Sequence, residues 1–228
     1  MKTRWVSLSF LIIISVTSIS SLTSAEAEIT MRIKPLELNE WDPSLLEKLA
    51  SMAGSASKQE NKQFDADKPA TLPHMLATVA HHPVLMVPFL DFARVFNSQG
   101  ALSRRDSELL ALRAGWNCQS EFEWGHHKIY ALDAGFSEED ITRIAVGPSA
   151  SGWTDTERAL LEAADELHAT QNVSDAVWAK LSAECSDKQM VEILFVVGQY
   201  TMLSMVVNAA GVELEPGYDP LPERPVAD

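Results

Sequence analysis

The sequence predicts an all-α fold, and three observations carry that prediction. From Leu72 onward apolar residues recur at helical spacing, with little of the period-two alternation of a half-buried strand. Ser103, Ser137, Thr154 and Ser186 each stand three positions before an acid or amide, at Asp106, Asp140, Glu157 and Gln189. That is the spacing of a capping box, in which a side-chain oxygen satisfies a free N–H of a helix's first turn. Finally, 228 residues of which 46% are hydrophobic suffice for one core and are too few for two comfortable domains.

In chain order, Lys2 and Arg4, the apolar run 5–16 and the ending Ala25-Glu26-Ala27 form the charged, apolar and small-residue order of a secretory signal peptide over residues 1–27. The apolar run is too short to span a bilayer comfortably, so the expectation is export, periplasmic or secreted, with no lasting membrane anchor. The alternative is a cytoplasmic protein whose translation starts at Met31. Residues 28–70 read as an arm, a short helix and a loop: 35–41 irregular, then a helix opened by Asp42-Pro43 with Leu45, Leu46 and Leu49 on one face, then the polar stretch 55–70. The main domain is expected at 71–215 and a tail at 216–228. Gly135 and Gly147-Pro148 mark helix ends, because glycine accepts a left-handed cap and proline cannot continue a helix. The most apolar stretch, 188–210, reads as a central core helix that also carries an oligomer face. Its Met190, Met202 and Met205 read as packing rather than as a cofactor box.

A formal charge of −14 without clustered Lys and Arg excludes nucleic acid as a partner. Two cysteines, Cys118 and Cys185, allow one disulfide at most, so the fold must stand on its core. Cys185, just before an apolar helix, reads as a small buried hydrophobe.

The chemistry concentrates in residues 118–127. Glu123 and His127 lie four apart, about 40° from each other on one helical face, and can touch. Trp116 and Tyr130 fall near the same azimuth if the helix is continuous, which would wall the pair with aromatic rings. A carboxylate beside an imidazole, screened from water, is a general acid and base unit. The plainer alternative is a surface pair worth a few tenths of a kcal/mol to the helix. Zinc, with His126, His81 or His82 added, is a further reading that nothing in the spacing selects. Adjacent His126 and His127 point about 100° apart and cannot readily share one metal, so no metal is expected. Cys118 would lie roughly 140° from Glu123 and 180° from His127 on an unbroken helix, too far round to bond His127. At a helix N-terminus its thiolate would be favoured by the free N–H groups; otherwise it is a packing residue. Arg113 reads as a member of a structural ion pair.

The run Ser103-Arg-Arg-Asp-Ser-Glu108-Leu-Leu-Ala-Leu-Arg113, then Cys118, then Phe122-Glu-Trp-Gly-x-His127 and Ala134-Gly-Phe-Ser137, resembles the carboxymuconolactone decarboxylase family, over about residues 71–211. The resemblance implies an alkylhydroperoxidase D-like helical bundle that completes its core by homo-oligomerisation, as a trimer or hexamer, and works without a cofactor on a small molecule. It implies Glu108, Cys118, Glu123 and His127 as catalytic candidates, with Trp116, Phe122, Trp124 and Tyr130 as substrate-binding candidates. Phe122 stands where the family usually has tyrosine. The family's peroxidases carry Cys-x-x-Cys-x-x-x-His; counted from Cys118 that spacing falls on Glu121 and Gly125, so a dithiol cycle is not expected. Three functions follow as expectations: acid and base chemistry on a small lactone or carbonyl compound, peroxide reduction through Cys118, or ligand binding without turnover.

Overall fold

The computed structural model describes residues 31–56 and 73–223. The expected leader, most of the expected 55–70 loop and the last residues of the expected tail lie outside the described residues. Among the described residues there are nine α-helices, one 3-10 turn and no strand.

The first three helices, α1 (Pro43–Ala56), α2 (His74–Val79) and α3 (Pro83–Ser98), form a small satellite core with the arm. Trp41, Leu45, Ala77, Ala80 and Met86 are its buried residues. Asp42 Oδ1 accepts from the Ser44 N–H at 2.8 Å and opens α1. Ser55 and Ala56, expected in the loop, extend the last turn of α1, since neither breaks a helix. The arm is tied down rather than loose. Leu36 N–H donates to Ala77 O at 3.1 Å, and Arg32 N–H reaches Ala210 O at 2.8 Å. Leu38–Glu40 closes a 3-10 turn within it.

The main core is built by α4 (Arg104–Asn117), α5 (Glu121–Asp133), α6 (Glu138–Val146), α7 (Asp155–Thr170), α8 (Asp175–Glu184) and α9 (Asp187–Ala210). Residues 107–116 of α4 are all buried, and α5, α7 and α9 pack around it. A helix covered on every side needs no polar stripe, which is why α4 lacks one. The four expected caps form: each hydroxyl accepts the N–H three residues on. Two further caps, Ser120 for α5 and Ser174 for α8, were not singled out in the sequence.

The core-facing side of α9 carries Ile193, Val196, Val197, Tyr200 and Leu203. Its other side, with Val191, Phe195, Met202 and Met205, is exposed and continues the exposed apolar residues of α3. Met202 and Met205 therefore lie outside the core, because α4 covers only the opposite side of α9; Met190 is buried. By length and composition α9 could cross a bilayer, yet over half of its most apolar window is buried inside the protein.

After α9 the chain folds back as a strap across α5, and residues 216–223, expected as a tail, continue it. Glu215 accepts the His74 N–H at 2.6 Å and bonds His126 Nε2 at 2.7 Å. Tyr218 stacks on His126, and Lys128 donates to Asp219 at 2.6 Å. The crossing point is Gly125. A Cβ there would lie 2.8 Å from Leu214 Cδ1 and 3.1 Å from the Asp219 carbonyl oxygen. Gly125→Leu is expected to lower unfolding free energy by about 1–3 kcal/mol, overpacking exceeding the helix propensity gained. Denaturant titration reads the loss and limited proteolysis the lifted strap; wild-type stability with a protected strap would contradict the close crossing.

Candidate active site

Three acidic or basic side chains converge between α4 and α5. Glu108, on the buried α4, is 1% exposed, and Glu123 and His127, one turn apart on α5, are buried as well, at 3% and 7%. His127 Nδ1 donates to Glu108 Oε2 at 2.7 Å, which leaves Nε2 facing Glu123 Oε2 at 3.6 Å. Arg104, one turn before Glu108, reaches Glu108 Oε1 at 2.8 Å. The result is a chain of charges: guanidinium, carboxylate, imidazole, carboxylate. Its last atom, Glu123 Oε1, is buried with no hydrogen-bond partner among the described residues.

Burial sets the chemistry of this array. It pushes the Glu123 carboxyl up to about 7, against the opposing pull of His127. Burial pulls His127 down, but the charge and hydrogen bond of Glu108, with the charge of Glu123, carry it above its ordinary value. Tyr130 and Tyr200 pack edge-on against the His127 ring, at 5.3 and 4.3 Å between centroids. Burial lifts both phenols, that of Tyr130 to about 12, so both remain donors at neutral pH.

The structure brings together Glu108, Glu123, His127 and Tyr130 and separates the other candidates from them. Trp116 belongs to α4, not α5, because the chain reverses between the two helices at Gln119, whose φ is 51°. Its indole packs 5.6 Å from that of Trp124, and both line a cavity with Lys128 and α6, so neither walls His127. Phe122 stacks on His126 under the strap. The missing aromatic wall is Tyr200 of α9. Its sequence signal was faint: Gln199, Tyr200 and Ser204 are polar interruptions of an apolar helix.

Cys118 is the C-terminal cap of α4, not the start of α5, so helical azimuths from Glu123 do not apply to it. Burial raises its thiol, a shift opposed by Ser204 and Thr201, contrary to the expected N-terminal activation. Its Sγ lies 3.7 Å from His168 Nδ1 on α7, a partner absent from the sequence reading. Both cysteines are free. Cys185 precedes α9 while Thr201, beside Cys118, lies fourteen residues along that helix, about 21 Å at 1.5 Å per residue, which rules out a disulfide. The histidines considered for zinc are engaged elsewhere: His126 by Glu215, His81 by Lys34 O, and His82 by the Leu85 N–H. Among the described residues no three His, Cys, Asp or Glu side chains are grouped to hold a metal ion.

Residues 87–166 match the carboxymuconolactone decarboxylase family. No curated protein matches the chain. Solved structures do. The core of an uncharacterised peroxidase-related AhpD protein from Ralstonia eutropha superposes with a TM-score of 0.66 at 15% identity, covering 81% of this chain and 92% of that one. The debrominase Bmp8, as a cysteine-to-alanine variant in complex with 2,3,4-tribromopyrrole, gives 0.64 at 14% identity, covering 81% and 91%. A protein of unknown function from Agrobacterium tumefaciens, suggested to be the antioxidant defence protein AhpD, gives 0.57 at 22% identity, covering 60% and 94%. These likenesses share the all-helical fold, and the stretch similar to the carboxymuconolactone decarboxylase family, residues 87–166, is the one that carries Glu108, Glu123 and His127.

Proposed function

We propose that this protein is an enzyme doing cofactor-free acid and base chemistry on a small lactone or carbonyl compound, with Glu123 as the proton-transferring group. The observation that carries the reading is a buried carboxyl lifted to about 7, with one oxygen against His127 and the other without a hydrogen-bond partner among the described residues. A base works best with a proton affinity near the working pH. Ionised Glu123 takes a proton from the carbon beside a substrate carbonyl, leaving an enolate, and returns it later in the cycle. His127, fixed by Glu108, stabilises the ionised carboxylate, and the Tyr130 and Tyr200 phenols supply donors beside it. Counted back from His127, the peroxidase spacing falls on Ser120 and Glu123, so a carboxylate stands where that chemistry requires its second thiol. The apolar exterior of α3 and α9 supports work as a homo-oligomer, which sedimentation reads directly.

A screen of small lactones and carbonyl acids, following proton exchange or product, tests the reading. His127→Ala is expected to lower turnover by about 10²–10⁴-fold, while Cys118→Ser leaves it within a small factor. The second reading, peroxide reduction by Cys118, has one observation in its favour, the 3.7 Å approach of His168. It ranks second because burial raises the thiol and no resolving cysteine is near. Peroxide consumption with a dithiol reductant, lost in Cys118→Ser and kept in His127→Ala, would reverse the order.

A further inference from the structure

We propose that the cavity between α5, α6 and the strap is a second binding site, for a small organic ammonium with a ring-sized apolar body. It lies about 100° round α5 from the Glu123 and His127 face, since Trp124 follows Glu123 by one residue, and it does not depend on the reading of that face.

The cavity holds about 220 Å³. That is below the roughly 300–1,000 Å³ of pockets for drug-sized ligands, so it suits a single ring or a short branched chain. Trp116 and Trp124 line its floor, and Ile141, Val146, Pro220 and Pro222 line its walls, a surface that favours a flat apolar body. The charged residues lining it are Glu138, Asp219 and Glu223 against Lys128 alone. The Lys128 ammonium already bridges Glu138 at 2.8 Å and Asp219 at 2.6 Å. The lining therefore keeps a net negative charge around an apolar interior, the combination that recognises an organic cation through carboxylate contact at its ammonium and burial of its body. A carboxylate ligand would meet repulsion at the same place.

The test titrates benzylammonium, benzyl alcohol and phenylacetate into the purified protein. Indole N–H signals in NMR report occupancy and calorimetry the affinity. Saturable binding is expected in the order ammonium, alcohol, carboxylate, weakened by salt because the acidic residues are exposed. Glu138→Gln and Glu223→Gln should each weaken benzylammonium by about threefold or more, whereas Glu47→Gln on α1, which makes the same change in net charge away from the cavity, should not. Val146→Phe, at a position 50% exposed and so without consequence for folding, should fill the cavity and abolish binding. Equal affinity for alcohol and ammonium would overturn the ligand class. Binding that survives Val146→Phe, or no saturable response to any probe, would overturn the site.

Discussion

Glu123→Gln is expected to stop turnover and, above pH 7, to make the protein more stable than wild type. The carboxyl has an ordinary value of 4.5 and is raised to about 7 by burial. A group raised in the folded state contributes stability that is fully present below its unfolded value and is lost as pH rises through its folded one. For Glu123 the loss runs from about pH 4.5 to just above 7, and 2.5 pH steps correspond to roughly 3 kcal/mol. His127, also raised, acts in the same direction: its contribution is present below about 6.5 and declines as pH rises through its higher folded value. The glutamine keeps the shape without the charge, so the variant should match wild type near pH 5 and exceed it at pH 8. Denaturation midpoints across that range read the difference. In wild type, kcat/KM for a verified substrate should rise through about pH 7 as Glu123 ionises, and the variant should show no such limb. Equal stability at pH 8 would mean that Glu123 is not charged at the working pH, removing the base from the proposed chemistry.

Arg113→Ala is expected to cost about 2–3 kcal/mol, because a nearly buried guanidinium loses four hydrogen bonds while Asp165, 31% exposed, can hydrate. The guanidinium bonds both oxygens of Asp165, at 2.6 and 2.8 Å, and donates to the carbonyls of Ile144 and Ala145 at 2.8 and 3.0 Å. Those carbonyls belong to the last turn of α6, where helix partners run out, so one side chain both pins α4 to α7 and caps α6. Gly147 fits the same joint. Its φ of 96° is a backbone state that side chains disfavour, and a Cβ there would collide with the Arg113 guanidinium. Arg113→Lys should recover only part of the loss, because an ammonium cannot make the paired contact. Chemical denaturation checks both variants; a cost below about 1 kcal/mol for the alanine would show that the pair contributes little beyond its own desolvation.

What could be read from the sequence was local. The caps at Ser103, Ser137, Thr154 and Ser186 depend on three-residue spacings. The Glu123 and His127 pair depends on a four-residue one, and Arg113 announced itself as a charge within an apolar helix. The errors arose where the chain turns without a signature. Gln119 adopts a left-handed conformation without being glycine, and that single residue places Trp116 and Cys118 off the helix that carries Glu123 and His127. Tyr200 and His168 reach the segment from helices far along the chain, and no local pattern joins them to it. Glu108 was legible only through family resemblance, since nineteen residues separate it from the ring it holds.

The strap across α5 also orders the making of the protein. Residues 211–223 follow the nine described helices, so they are synthesised after them. Yet they supply Leu214 over Gly125, Glu215 against His126 and the Tyr218 ring that completes the stack on Phe122. The helix that carries Glu123 and His127 therefore waits for the strap to be synthesised before its outer side is covered. A nascent chain stalled just after α9 has every described helix, with α5 still uncovered on one side.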